Sequence, residues 1–436
     1  MSAGHSYDPS PEEAGGPAPR ARRLTVALLI AAALVTLVAM VLLWPHSSRS
    51  TEAAPPDRVN GEVTAVQPID CAQDPEAQVP AGEGSPSGAA IICGTVVVRL
   101  TSGPEAGNDI TTDIPAGPAA ITVADGDDIE LLYLPDAPDG QLYSIYDHQR
   151  STQLWVLAAA FALAVIAFGR WRGLTALFGL GVTFAVLLWF IVPAILEGRS
   201  PLLVAIVGSA AIMLTVLYLT HGFHPSTTVA VVGTLAALTL TAVLSALATT
   251  FTHLSGIADE TSSYLNITHA DVNMQGLLLA GIVIGSLGVL DDVTVTQATA
   301  VTELARANPN YGYRQLYRAA ERIGRAHIAS VINTIVLAYA GASLPLMLLF
   351  AGGNNPVGDT ITGELIAQEL VRSAVGTLGL IAAVPITTAL AAAIARRSSP
   401  AGADGVKPVP AAPSAGASAP AADPWMAFLD RRDGRR

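Results

Sequence analysis

The stretch Gly276–Glu303 reads GLLLAGIVIGSLGVLDDVTVTQATAVTE, and it decides how the rest of the chain is read. It opens as a membrane helix, apolar enough to span, and then places Asp291 and Asp292 at or near the inner end of that span. An ionised carboxylate within a membrane helix costs about 2.5–3.5 kcal/mol even on the gentler insertion scales, so its presence asks for a reason. Gly281, Gly285, Gly288, Asp292, Thr296, Thr299 and Glu303 follow one another at spacings of three and four, which places them on one helix face. The three glycines let a neighbouring helix come close, and the polar groups continue that seam toward the cytoplasm. Asp291 falls on another face with Ile284, Leu287 and Val295, so Asp292 is the carboxylate expected to act. The plainer reading is a helix end whose acids already lie among headgroups.

Composition sets the class around this helix. Of 436 residues 51% are hydrophobic and only 13% charged, with a mean hydropathy of +0.48, which fits a polytopic membrane protein and excludes an ordinary soluble globule. The net charge of −12 is uneven: residues 45–150 hold 17 Asp and Glu against four Arg. Basic residues are almost all Arg, and with so much Ala, Gly and Pro this suggests a high-GC bacterial genome.

Residues 1–23 carry no apolar pattern and read as a disordered cytoplasmic arm ending in Arg20, Arg22 and Arg23. Leu24–Trp44 follows without a charge, long enough to cross about 30 Å of hydrocarbon, and is read as a signal anchor. Residues 45–150 alternate as strands do: in IICGTVVVRL, Val96, Val98 and Leu100 oppose Val97 and Arg99, and DIELLYL repeats the pattern. With further strands expected at 59–66, 109–114 and 142–146, the segment reads as a small extracytoplasmic β sandwich or barrel. Its two cysteines, Cys71 and Cys93, are expected to pair there, with two buried thiols as the alternative.

Residues 151–397 supply the membrane domain. Spans are expected at 154–168, 174–196, 202–220 and 226–251, then the Asp291–Asp292 helix, then 328–350 and about 371–395. GRWRG (169–173) turns the chain between the first two, and residues 252–275 form a polar outer loop. Residues 398–436 read as a disordered cytoplasmic tail. The fold class is therefore a polytopic α-helical membrane protein of about eight spans, with a β-rich domain between the first two. Arg clusters at 20–23, 170–172, 306–325 and 396–397 all fall on the cytoplasmic side if both termini are inside, while the acidic domain falls outside.

Several polar residues invite a role. Arg314, Arg318, Arg322 and Arg325 line one side of a basic amphipathic segment, the pattern of a helix resting on the anionic lipid bilayer; it makes a poor nucleic-acid surface. Asn333 and Tyr339 sit in the following span, where a buried amide seeks a partner, either as glue between helices or as a pathway residue beside Asp292. Pro385 interrupts the last span and brings Thr387 and Thr388 near a freed carbonyl. His253, Asp259, Glu260, His269 and Asp271 share a loop but follow no metal-ligand spacing, so no metal and no cofactor is expected. No Walker, GxSxG or HExxH element is present, and adjacent acids on one helix point about 100° apart, unlike a paired-aspartate protease. An enzyme is not expected. The Gly281-xxx-Gly285 spacing is compatible with a homodimer and equally packs helices within one chain.

In order, YDHQR, GRWRGL, GSLGVLDDVTVTQA, INTIVLAYAGASLPL and AVPITT resemble the YibE/F family of bacterial multi-pass membrane proteins over about residues 140–395. The resemblance implies a permease-like architecture of eight spans and singles out Asp292 and Asn333, without naming a cargo. The expectation is an ion-coupled transport protein of the bacterial cytoplasmic membrane, with Asp292, Asn333, Tyr339, Thr387 and, at the inner end, Glu303 along its seam. The rival expectation is a non-transporting envelope protein that binds a partner through the external domain.

Overall fold

The computed structural model describes residues 19–46, 57–69, 93–115, 121–135, 137, 142–352, 358 and 362–398. The expected arm and tail, 1–23 and 398–436, lie almost wholly outside these residues, as does Cys71. Of Cys93 only the backbone is described, pairing opposite Ile69, so the expected cysteine bond lies outside the description too.

Alternating side chains build the β domain. Strands β1 (Asp57–Ile69), β2 (Cys93–Leu100), β3 (Asp109–Asp113), β4 (Asp128–Tyr133) and β5 (Tyr143–His148) form one antiparallel sheet in the order β3-β2-β1-β4-β5. The first four strands of that order make a Greek key, three hairpin-linked strands and a fourth returning beside the first. Long β1 serves both neighbours, pairing with β2 along 61–69 and with β4 along 57–62. Gly61 belongs to both pairings, and a side chain there would collide with Val98. The Thr112 hydroxyl donates to the Tyr143 carbonyl at 2.7 Å, tying β3 to β5 and closing the sheet toward a barrel. Inside it Val59, Val63, Val96, Val98, Leu100, Ile129 and Leu131 are buried together. The expected sandwich is not formed: the segment is a single five-stranded sheet whose edge strands β3 and β5 touch without pairing, a partly open barrel.

The helices follow from hydropathy. They are α1 (Pro19–Leu42), α2 (Ser151–Val186), a π-helical turn (Leu187–Ile191), α3 (Val192–Leu196), α4 (Pro201–His221), α5 (Pro225–Phe251), α6 (Glu260–Thr268), α7 (Met274–Ala307), α8 (Tyr313–Ala342), α9 (Leu344–Gly352) and α10 (Glu364–Ser398). Among the described residues six helices are long and apolar enough to cross a membrane, counting 151–196 as one, and Val26–Leu42 is a shorter apolar helix. That long helix is broken at Arg170, whose φ of 51° is left-handed. A side chain at Gly173 would collide with the Val165 carbonyl, although residues eight apart on a straight helix stand about 12 Å apart. The chain therefore doubles back at the expected GRWRG turn.

Helices α5, α7 and α10 pack on one another at the centre, α4 lies against α7, and α8 crosses α10 and α7. Close approaches make this packing possible: Gly233 of α5 faces Thr387, and Gly379 of α10 faces Thr241, with no room for a Cβ at either. The outer loop expected at 252–275 contains α6, capped by a reciprocal pair in which Asp259 accepts from the Ser262 N–H at 2.7 Å and Ser262 Oγ accepts from the Asp259 N–H at 3.0 Å. These bonds to Ser262 hold the Asp259 carboxyl below the usual carboxylate range.

Candidate functional site

Asp291 and Asp292 are not at the end of their helix. The expected inner end was inferred from where the apolar run stops, but α7 continues to Ala307, a helix of 34 residues with the acids at its middle. Thr294, Gln297, Ala298 and Val301 are buried beyond them, because α5, α8 and α10 carry the bundle on past that point. Three hydrogen bonds fix the level. Thr294 Oγ1 lies 2.6 Å from Thr234 Oγ1 of α5, and Gln297 donates to Thr388 Oγ1 of α10 at 2.7 Å and to the Ala320 carbonyl of α8 at 2.9 Å. Helix α5 begins nine residues before Thr234, at Pro225, and Arg396 of α10 lies eight residues beyond Thr388. At 1.5 Å per residue the acids stand more than about 12 Å short of those ends.

The two carboxylates have different surroundings. Asp291 is half-buried, and one of its oxygens accepts the Asp292 N–H at 2.8 Å. Its carbonyl accepts the Thr294 hydroxyl at 3.0 Å, which links the acid to the hydroxyl pair between α5 and α7. Asp292, the residue favoured from sequence, lies on the exposed flank with Gly281, Gly285, Gly288, Thr296, Thr299 and Glu303. The predicted face exists as a face, but among the described residues no helix covers it. Nothing lies within 4 Å of a Cβ built on Gly281 or Gly288, and at Gly285 only the Tyr339 hydroxyl does, at 3.5 Å.

The other candidates are dispersed. Asn333 is exposed on α8, and Tyr339 is half-buried near Gly285. Thr387 is fully buried against α5, its hydroxyl without a hydrogen-bond partner. Among the described residues no hydrogen bond joins the Asp292 carboxylate to Asn333, Tyr339 or Thr387. Glu303 is exposed and pairs with Arg306 at 2.8 Å. Arg314, Arg318, Arg322 and Arg325 are all exposed, opposite buried Leu316, Ala320 and Gly324, so the amphipathic reading of that segment describes α8 well. Arg325 pairs with Glu321 at 2.7 Å.

One polar feature had not been anticipated. Thr227, Thr234, Thr241, Ser245 and Thr249 recur at spacings of seven, seven, four and four along α5, and all are buried. They form a hydroxyl column about 33 Å long, facing α7 and α10. The signal was in the sequence, as a Thr/Ser face within an otherwise Ala, Leu and Val helix. Most of these hydroxyls donate to the carbonyl four residues back, as Thr234 does to Ala230 at 2.9 Å and Thr241 to Ala237 at 2.9 Å. Each keeps a lone pair for a neighbouring helix. The arrangement sets a column of buried hydroxyls on α5 at about the level of the half-buried Asp291.

Searches for similar proteins return no significant match among curated proteins or solved structures. The model of the YibE/F-like protein family matches residues 157–397, more than half of the chain and all of α4 through α8 with most of α10. This chain belongs to the YibE/F-like protein family.

Proposed function

We propose that this protein is a permease-like transporter of the bacterial cytoplasmic membrane, in which Asp291 and Asp292 couple movement of its substrate to a proton or another small cation. The observation that carries the reading is a pair of carboxylates at the middle of a 34-residue apolar helix, one half-buried against the bundle and one on its exposed flank. Acids so placed are expensive and generally mark ion pathways. The hydroxyl column of α5 supplies neutral oxygens at the same depth. A count of eight crossings would fit it: the six long helices become seven if 151–196 is divided at Arg170, and the shorter apolar helix of α1 would make eight. An even number keeps both termini on one side, with the Arg-rich segments 306–325 and 396–397 cytoplasmic and the acidic barrel outside.

The test is proton flux into proteoliposomes under an imposed pH gradient. Wild-type flux should be lost in Asp291→Asn and reduced in Asp292→Asn, with both variants folded. Flux unchanged in the double variant would remove the carboxylates from the mechanism. A second reading rests on the barrel, which has its own closed core and so can serve as a partner-binding module. It predicts that deleting residues 45–140 abolishes function while Asp291→Asn is tolerated, the reverse of the transport reading.

A further inference from the structure

The two halves of α10 are held to the bundle by different means. The second half is locked by shape and hydrogen bonding: Thr387 fills the socket at Gly233, Val384 lies against Gly324 of α8, and Thr388 accepts from Gln297. The first half packs Ala367, Val371 and Val375 on Leu244 and Ala248 of α5, Leu278 and Ile282 of α7, and Leu254. Such apolar contacts have little drive in lipid, which is itself as apolar. One carboxylate closes this half. Glu364 Oε1 accepts from the Ser255 hydroxyl at 2.6 Å, the Ser255 N–H at 2.7 Å and the Gly256 N–H at 3.1 Å, and Gln368 Nε2 donates to it at 3.1 Å. Gly256, at a left-handed φ of 87°, sits against the Met274 carbonyl with no room for a Cβ, and Gln275 donates to the Leu254 carbonyl at 3.2 Å. Through this loop Glu364 ties the first turn of α10 to the end of α5 and the start of α7.

The tied arrangement leaves polar groups unpaired. Thr249 Oγ1 is buried without a hydrogen-bond partner, and so is Nε of Arg372, whose Nη1 meets Glu369 at 3.4 Å. The sockets Gly233–Thr387 and Thr241–Gly379 run eight residues along α5 for eight back along α10, a register that puts Thr249 about level with Val371 and Arg372. Buried polar groups without partners are rare and ask for an explanation. Between the halves stands Pro385, which has no N–H to bond the Ile381 carbonyl and so weakens the helix there. We propose that the first half of α10 is a gate: it swings on Pro385, is latched shut by Glu364, and on opening admits water to Thr249 and Arg372. A fixed staple would need neither the hinge nor groups whose bonds only opening completes. The gate goes beyond the transport reading and is detected without any substrate.

Hydrogen exchange of the full-length protein in lipid nanodiscs tests it. In the wild type, amides of 366–380 should exchange faster than those of 386–392, because only the first half opens. Glu364→Ala should speed exchange over 366–380 at least about tenfold and leave 386–392 unchanged, and Glu364→Gln, which keeps an acceptor without its charge, should fall between. Pro385→Ala restores the missing helix bond and should slow the first half. Equal exchange of the two halves in the wild type would overturn the proposal, and so would a first half indifferent to Glu364→Ala. Acceleration of both halves alike in Glu364→Ala, with Pro385→Ala having no effect, would make Glu364 a structural tie and equally overturn it. Exchange is read without flux, so failure of the transport reading leaves this result standing.

Discussion

The barrel and the bundle are built from one chain but differ in how much polar surface they bury. The barrel's core is almost wholly aliphatic, with Thr112 as its buried hydroxyl. The bundle buries Ser209, Thr234, Thr241, Ser245, Thr294, Gln297, Thr387 and Thr388 among its leucines, valines, isoleucines and alanines. The solvents differ, and the interiors follow. Water drives the barrel's valines and leucines inward, whereas lipid is as apolar as leucine and gives no such drive. Bundle helices gain instead from close contact and from hydrogen bonds that lipid cannot offer.

The largest effect should come from the barrel. Leu131 is fully buried in β4, so Leu131→Ala should remove about 2–5 kcal/mol from the protection of strand amides, read by native-state hydrogen exchange on the full-length protein. In the bundle, Thr294→Val removes the 2.6 Å bond to Thr234 with little change of volume. Its expected effect on unfolding in bilayers is about 0.6 kcal/mol and below about 1.7, because polar contacts between membrane helices are individually modest. A bundle penalty as large as that of Leu131→Ala would break the comparison, since the hydroxyls would then dominate stability where packing is held to do so.

This contrast also explains which features were readable beforehand. Strands were legible because Val96, Val98 and Leu100 alternate with more exposed residues in water, and observed ends differ from expected ones by only a few residues. The six long apolar helices were legible because hydropathy alone sets them. The faces of α7 were not. Gly281, Gly285, Gly288 and Asp292 share one face, while Ser286, Thr294 and Gln297 share another, and both are small and polar. Periodicity finds two such faces but does not rank them, because ranking needs to know which neighbours α5, α8 and α10 bring. The level of Asp291 was misjudged for a related reason: Thr294 and Gln297 look like the end of a span until Thr234 and Thr388 are seen to meet them. The α6 helix was hidden in a polar loop, although Asp259 and Ser262 stand at capping spacing.

The smallest effect should lie where the two regions join. Asp147 of β5 meets Arg150 at 2.7 Å just before α2 begins, and its carboxylate also accepts the His148 N–H at 2.7 Å. The Arg150 guanidinium first, and the His148 N–H second, hold the Asp147 carboxyl below its usual range. A carboxyl depressed in the folded state contributes stability that is complete above its unfolded value near about 3.9, and that is lost as pH falls through the lower folded value. The contribution is thus present at neutral pH and disappears only in acid. Both side chains are exposed, so solvent screens the pair, and Arg150→Gln should leave the Leu131 and Thr294 effects unaltered. It should, however, raise the Asp147 titration midpoint seen by carboxyl NMR, though only part of the way, because the His148 N–H stays. A midpoint that does not move would assign the depression to the backbone bond alone. A large loss of barrel protection in Arg150→Gln would mean that the junction couples the two regions, and that their interiors do not answer to their solvents independently.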